Sequence, residues 1–130
     1  GARPAEWLAA SGLTASAAGF VAVRETLQMI GDDDVFAVGD CADVLDHPRP
    51  KAGVFAVRQS GPLARNLRRR LAGERAEPFH PQKRFLTLLS TADGRAIAAW
   101  GPLSAEGRWV FRWKDAIDRR FIARFAAREG

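Results

Sequence analysis

Cysteine, histidine and long apolar segments are scarce in this 130-residue sequence, and each shortage excludes a class of site or protein. Cys41 is the single cysteine, which excludes an internal disulfide and a Cys-x-x-Cys redox or zinc pair. His47 and His80 are the two histidines, far apart in the sequence and without a ligand cluster around either, so we predict no metal site. No apolar run approaches the roughly 18 residues of a membrane span and no secretory signal is visible, so we expect a cytoplasmic protein.

The composition is that of a globular chain with a real core, because 47% of the residues are hydrophobic and 27% are charged. A net charge of +5 raises nucleic acid as a partner. The basic residues, however, concentrate in residues 65–75 and 108–128, where they alternate with apolar positions at helical spacing. Such spacing is typical of solvated helix faces, and no nucleic-acid-binding signature accompanies it. We therefore expect no nucleic-acid partner.

The apolar run Val35-Phe36-Ala37-Val38 stops abruptly at Gly39-Asp40. A short apolar run bounded by turn residues predicts a buried strand in the middle of a parallel sheet. Gly39 allows the backbone to approach a ligand closely, and Asp40 places a carboxylate at the strand end, suited to accept hydrogen bonds from sugar or ribityl hydroxyls. The alternative is that Asp40 merely caps the next turn.

The rest of the chain alternates between helical and strand-like patterns. The first half predicts these elements: a helical turn over 5–11, a strand over 20–23, a connection over 24–34 with a solvated Asp32-Asp33-Asp34 turn, and a helix over 52–72. Gly61-Pro62 predicts a kink or two consecutive helices, and Gly73 is a predicted C-terminal cap. The second half predicts a strand over 85–91, a hairpin at 92–95, a returning strand over 96–100, a turn over 101–107, a strand-like start at 108–111 and an amphipathic helix from Trp113 that places Phe125 on its apolar face.

The segments Gly1-Ala2-Arg3-Pro4, Phe20-Val21-Ala22-Val23 and Val35 to Asp40 resemble FAD-dependent pyridine nucleotide-disulfide oxidoreductases, at the passage where the chain re-enters the FAD domain. The resemblance implies that Asp40 binds the ribityl chain of FAD, with Gly39 beside it. The segment Pro50 to Gln59 is similar to the family's next element, a helix whose first turn faces the flavin pyrimidine ring.

That similarity implies cofactor contacts at Lys51, Ala52, Gly53 and Val54. Helix amides favour the negative charge that builds up near flavin N1 and O2 on reduction, and Lys51 would add a full charge there. The alternative for Lys51 is a solvent-facing side chain at a helix start. The sequence contains no residue that we identify as a catalytic acid, base or nucleophile. For Cys41 we expect a small buried residue rather than a reactive thiol.

Three further stretches, 48–59, 84–91 and 106–125, resemble the NADH dehydrogenase-like flavoprotein often fused in front of selenide, water dikinase. This implies an α+β fragment of an α/β flavoprotein with two dinucleotide-binding domains, in which residues 1–77 complete the FAD-binding domain and 78–130 form a β-hairpin plus helix. It also implies FAD as cofactor, NAD(P)H as co-substrate, the rest of the flavoprotein chain as partner and a fused selenide, water dikinase domain.

The sequence also departs from the family pattern. Met29-Ile30-Gly31 stands where the family often has a Thr or Ser, and a His-Pro pair followed by Glu, as glutathione-reductase-like enzymes have near their C-terminus, does not occur. The hairpin and Trp-rich helix instead resemble type II NADH dehydrogenases. The sequence contains no Gly-x-Gly-x-x-Gly fingerprint and does not begin with Met, so we read it as a piece of a longer chain whose nucleotide loops lie upstream.

Two functions follow from these patterns. In the first, the chain is the C-terminal part of a FAD-dependent NAD(P)H oxidoreductase and would by itself bind FAD weakly or not at all and be inactive. In the second, it is a non-catalytic interaction module whose basic-aromatic C-terminal helix docks a partner domain, a second copy in a homodimer or an anionic membrane surface. The alternative for this helix is packing on its own domain.

Overall fold

Two separately packed units make up the chain in the computed structural model, which describes residues 2–126. The first unit spans Gly1–Pro81 and the second Gln82–Gly130. The first contains α1 (Glu6–Ala10), β1 (Val21–Val23), β2 (Gln28–Met29), β3 (Asp32–Phe36), β4 (Ala42–Val44) and α2 (Gly53–Leu71). The second contains β5 (Leu86–Ser90), β6 (Ala96–Trp100), β7 (Leu103–Gly107) and α3 (Arg108–Ala126). This content confirms the α+β class, whereas the division into flavoprotein domains at residue 77 stays a prediction.

The first sheet has the strand order β3-β2-β1-β4, in which β1 and β4 run parallel. Each residue of β1 is buried, and Val21 and Val23 join Leu8, Leu27 and Met29 in the core cluster. The apolar triplet of β1 carries no polar side chain, so it can be covered from both sides. Strand β1 is therefore an inner strand of this sheet, and it coincides with the strand predicted over 20–23.

The prediction of a buried central strand over Val35–Val38 is wrong. The observed strand, β3, lies at the sheet edge, pairs antiparallel with β2, and begins with three exposed aspartates. Carboxylates of the Asp32–Asp34 run need solvent, which confines this strand to an edge, while Val35–Val38 pack half-buried against the core. The segment over 24–34, predicted as a plain connection, contains β2 and the start of β3.

Helix α2 follows the predicted span closely and ends as predicted. It is one continuous helix through Pro62, so two consecutive helices are excluded, since the loss of one ladder hydrogen bond is tolerated in a helix of 19 residues. At its end, the N–H of Gly73 donates to Arg70 and the N–H of Glu74 to Arg69. Gly73 has φ +75, and this pair of bonds is the Schellman arrangement that favours glycine.

The second unit is a three-stranded antiparallel meander, β5-β6-β7, followed by α3. The hairpin predicted between the first two strands is confirmed. The turn predicted over 101–107 is instead a two-residue turn and β7, and residues 108–111, predicted as strand-like, already belong to α3. The residues Leu103–Gly107 do not encode a strand locally, so their extended conformation depends on pairing with β6. Gly107, with φ +147, ends the strand.

Within residues 2–126, none of the helices combines the length and the apolar character needed to cross a membrane. The side chain of Phe125 and the whole of Arg128, both counted in the predicted C-terminal helix, lie outside the described residues.

Candidate functional site

Gly39 and Asp40 lie in a single 3₁₀ turn, Gly39–Cys41, immediately before β4. Gly39 has φ +70, and a Cβ built on it would lie 3.3 Å from the Cβ of Ala56 on α2. Its N–H donates to Oε1 of Gln59 at 2.6 Å. Conformation, close packing and this hydrogen bond together require glycine here and fix the turn against the first half of α2.

Asp40 is exposed, and within residues 2–126 its carboxylate makes no hydrogen bond and no ion pair. The interpretation that Asp40 caps the following turn therefore finds no capping bond to support it. A carboxylate that neither caps nor pairs keeps all its acceptor positions available. This side chain can accept hydrogen bonds from hydroxyl groups of a ligand.

Lys51 is not solvent-facing, in contrast to its alternative interpretation. Its Nζ donates to the carbonyl of Ala42, lies 3.4 Å from Oδ1 of Asp43 and 4.2 Å from the ring centroid of Phe20. Its side chain is 16% exposed. The ammonium group is therefore held against β4, where Asp43 balances part of its charge.

Helix α2 starts without a side-chain cap. Its N-cap residue is Ala52, which has no side chain able to accept a hydrogen bond from the first turn. The amides of Gly53 and Val54 in that turn are consequently available to an anionic or electron-rich group, and the helix dipole favours such a group.

Four of the six predicted cofactor contacts line one open cleft in the first unit: Gly39, Asp40, Lys51 and Ala52. Gly53 and Val54 lie next to this lining rather than in it. The cleft continues along β4 to His47, Arg49 and Pro81. It therefore combines a free carboxylate, a held ammonium group and an uncapped helix start, an arrangement suited to a ligand with hydroxyl groups at one end and an electron-rich group at the other.

Cys41 is exposed, so the expectation of a buried thiol is wrong. Its Sγ donates to the carbonyl of Val38 at 3.2 Å, which completes the same turn. The 3₁₀ turn places residue 41 outward because Ala42, the next residue, occupies the core as the first residue of β4.

Three groups in this region are absent from the sequence-based prediction. Gln59 is buried and accepts the hydrogen bond from Gly39. In the sequence, the signal that could have indicated this role is an amide among the apolar positions of a predicted helix. Arg49 lines the cleft, and its Nε is buried without a partner among the described residues. The two histidines, far apart in the sequence, lie side by side in the fold, with His80 Nδ1 3.2 Å from His47 Nε2.

Comparison with known proteins links the chain to a class of oxidoreductase. The type II NADH:quinone oxidoreductases of Staphylococcus aureus strains NCTC 8325 / PS 47, COL and N315 are each 27% identical to it over 109 residues. The matched region is 80% of this chain and 27% of each relative, so the chain spans about a quarter of the length of the curated relatives that it matches. No protein-family model matches. The chain is thus similar, at a distance, to a pyridine-nucleotide-dependent oxidoreductase.

Proposed function

We propose that this chain is the part of a FAD-dependent NAD(P)H oxidoreductase that holds the ribityl chain and the pyrimidine side of the flavin. The observation that carries the proposal is the single cleft in which the unpaired carboxylate of Asp40 and the uncapped start of α2 meet. The similarity to NADH:quinone oxidoreductases supports the same class and favours NADH as the reductant and a quinone as the acceptor.

Residues of the cleft and of the adjacent helix start have distinct roles in this proposal. Asp40 accepts hydrogen bonds from ribityl hydroxyls, since its carboxylate is exposed and unpaired within the described part of the chain. Gly39 lets the turn lie against Ala56, and Gln59 keeps it there. The amides of Gly53 and Val54 stabilise negative charge on the electron-rich edge of the ring.

Lys51 contributes to the potential of the cleft rather than a direct bond. Its ammonium group is already engaged by Ala42 and Asp43, and it raises the potential at the start of α2 from that fixed position. When bound, FAD supplies the hydride- and electron-transfer chemistry, for which this chain provides binding and electrostatics. A fused selenide, water dikinase domain stays a prediction.

The test is Asp40→Ala in the complete polypeptide that carries this chain. Loss of a hydrogen bond to a charged acceptor predicts FAD binding weaker by about 10- to 100-fold and protein that purifies largely colourless. Flavin absorbance per protein and a fluorescence titration with FAD measure it. Asp32→Ala, an exposed aspartate of the same unit outside the cleft, is the matched control. Equal flavin content in the two variants contradicts the proposal.

A second function, docking on an anionic surface through α3, is favoured by the exposure of this helix. Beyond its first turn, none of its side chains through residue 124 is buried. Trp109, Trp113, Ile117 and Phe121 follow at spacings of four residues and are each 39–59% exposed, and the two indole rings stack at 6.5 Å. The flanking cations are Arg108, Arg112, Lys114, Arg119, Arg120 and Arg124, against the two acids Asp115 and Asp118. An aromatic stripe with an excess of cations suits an anionic bilayer.

Liposome flotation tests this second function. The chain is expected to float with phosphatidylserine-containing vesicles and not with neutral ones, because the cations of α3 outnumber its acids. Trp113→Ala together with Ile117→Ala is expected to abolish flotation, whereas Leu103→Ala, an exposed apolar residue of β7, leaves it unchanged. Absence of flotation favours packing or self-association, which sedimentation of the same samples distinguishes.

A further inference from the structure

Three metal-ligating side chains that have no role in the flavin proposal converge at one end of the first sheet, although one of them, His47, also lines the cleft. Glu25 follows β1, His47 follows β4, and His80 lies in the segment after α2. Because β1 and β4 are parallel neighbours, the residues just after both strands lie at the same end of the sheet. The N–H of Leu45 donates to the carbonyl of Val23 at 3.1 Å, which extends the pairing of β1 and β4 toward this end of the sheet.

The backbone of Glu25 holds both histidine-bearing segments. Its N–H donates to Oδ2 of Asp46, the residue before His47, at 3.2 Å. Its carbonyl accepts a hydrogen bond from the N–H of Phe79, the residue before His80, at 2.8 Å. The three side chains are thus brought together by hydrogen bonds of their neighbours, so little further ordering is needed for them to act on one ligand.

The three ligand atoms have the spacing of a coordination sphere. His47 Nε2 lies 3.2 Å from His80 Nδ1 and 3.6 Å from Oε2 of Glu25, and His80 Nδ1 lies 3.9 Å from that oxygen. Tetrahedral Zn²⁺ with Zn–N bonds of about 2.0–2.1 Å separates neighbouring ligand atoms by about 3.3–3.4 Å. Shifts of a few tenths of an ångström would therefore bring all three atoms onto one ion.

Hydrogen bonding can account for the contact between the two rings, whose nitrogens lie 3.2 Å apart, but not for the position of Glu25. The distances from Glu25 to the two rings, 3.6 and 3.9 Å, exceed the range of about 2.7–3.2 Å for an N–H to oxygen bond. The rings meet edge to face, with an interplanar angle of 76° and centroids 5.3 Å apart, an aromatic contact that holds the two histidines together but does not involve Glu25. Two imidazole nitrogens and a carboxylate oxygen are ligands that borderline divalent metals prefer.

We propose that Glu25, His47 and His80 bind one divalent transition-metal ion, for which Zn²⁺ is the best match, with water completing the coordination. The site is open to solvent, since the three side chains are 38%, 33% and 68% exposed. Binding would tie the segment around His80 to the end of the sheet, next to Phe79, which already packs on the core. The inference does not depend on the flavin proposal.

The experiment is calorimetric titration of the untagged 130-residue chain with zinc chloride, followed by Co²⁺ binding monitored by visible absorption. We expect one Zn²⁺ per chain and the absorption of tetrahedral Co²⁺. His47→Gln and His80→Gln should each weaken binding by more than the roughly 10- to 100-fold that loss of an outer-sphere partner costs. Zn²⁺ should raise the Tm of the natural chain and leave that of the double variant unchanged.

Two further variants keep the test decisive. Cys41→Ser removes the single thiol, an exposed alternative ligand, and should leave the affinity for Zn²⁺ unchanged. Glu25→Gln removes the carboxylate charge while keeping both backbone hydrogen bonds of residue 25, so weaker binding with an unchanged metal-free Tm reports the lost ligand. Failure of the natural chain to bind Zn²⁺, retained binding in the double histidine variant, or loss of binding in Cys41→Ser would each overturn the proposal.

Discussion

The two units of this chain are held together by different kinds of buried side chain. In the described part of the first unit, Gln28, Gln59 and Asn66 are buried polar residues, each hydrogen-bonded to main-chain groups of a different segment. In the described part of the second unit, the buried residues are Ala96, Ala98 and Val110, all apolar. Buried amides fix direction and distance, whereas apolar contacts fix only proximity. The unit that carries the cleft is thus the one in which loops are positioned by directional bonds.

Asn66→Ala is expected to produce the largest effect and to test the polar half of this comparison. Its amide donates to the carbonyls of Thr26 and Glu77 and accepts from the N–H of Glu77, at 2.8–2.9 Å, with a side chain almost fully buried. Three lost bonds of about 1 kcal/mol each predict a loss of about 3 kcal/mol in the free energy of unfolding of the first unit. Hydrogen exchange of the β1 amides measures it.

Asn66→Asp is the companion to that variant, since it keeps the oxygen that accepts from Glu77 and replaces the NH₂ group that donates to both carbonyls with a charged acceptor oxygen. It should be destabilised as well, and exchange in β6 should be unaffected by either substitution. Unchanged exchange in β1 would show that the directional bonds of α2 do not hold the first unit together.

Val110→Ala tests the apolar half and is expected to have the second-largest effect. Val110 is fully buried and is the residue of α3 that enters the core of the second unit with Ala96 and Ala98. Removal of two buried methyl groups predicts a loss of about 2 kcal/mol. Ile122→Ala, which is 63% exposed on the same helix, should stay within about 0.5 kcal/mol of the natural chain in urea unfolding. A similar loss in both variants would mean that α3 is held by more than Val110.

Asp34→Asn is expected to give the smallest effect and concerns a bond on the surface of the first unit. The hydrogen bond and charge of Arg70, whose Nε lies 2.6 Å from Oδ1 of Asp34, hold the pKa of this carboxyl below its usual value of 3.8. A lowered folded-state pKa adds stability above pH 3.8, and the addition is lost as the pH falls through the lower value. Both groups are exposed, so the Tm difference from the natural chain should be small at pH 7 and should shrink further as the pH falls below 3.8.

Local sequence pattern was sufficient where an element depends on its own residues. The helix over 52–72 with its Gly73 cap, the short strand over 20–23 and the hairpin at 92–95 all formed as predicted, because spacing, turn residues and caps act within a few positions. Pattern failed for Val35–Val38, where an apolar run indicated a central strand. Which strand becomes central depends on which strands pair, and β2, two residues long, left too weak a signal to be foreseen.

The candidate site shows the same division. Gly39-Asp40 and the helix start at Ala52 were predicted as neighbours of one ligand, and they line one cleft, although what that cleft binds stays a proposal. The fixed position of Lys51 and the support from Gln59 could not be predicted, because they arise from contacts across the fold.

By itself the sequence determined the span of α2, the hairpin, the presence of a glycine at position 39 and the supply of one carboxylate and one uncapped helix start. Tertiary structure alone decided that β3 lies at an edge and that Glu25, His47 and His80, distant along the chain, meet at the end of a parallel strand pair. The physical reason is range: propensities and caps are encoded within a few residues, whereas strand pairing and side-chain convergence depend on the whole chain folding back on itself.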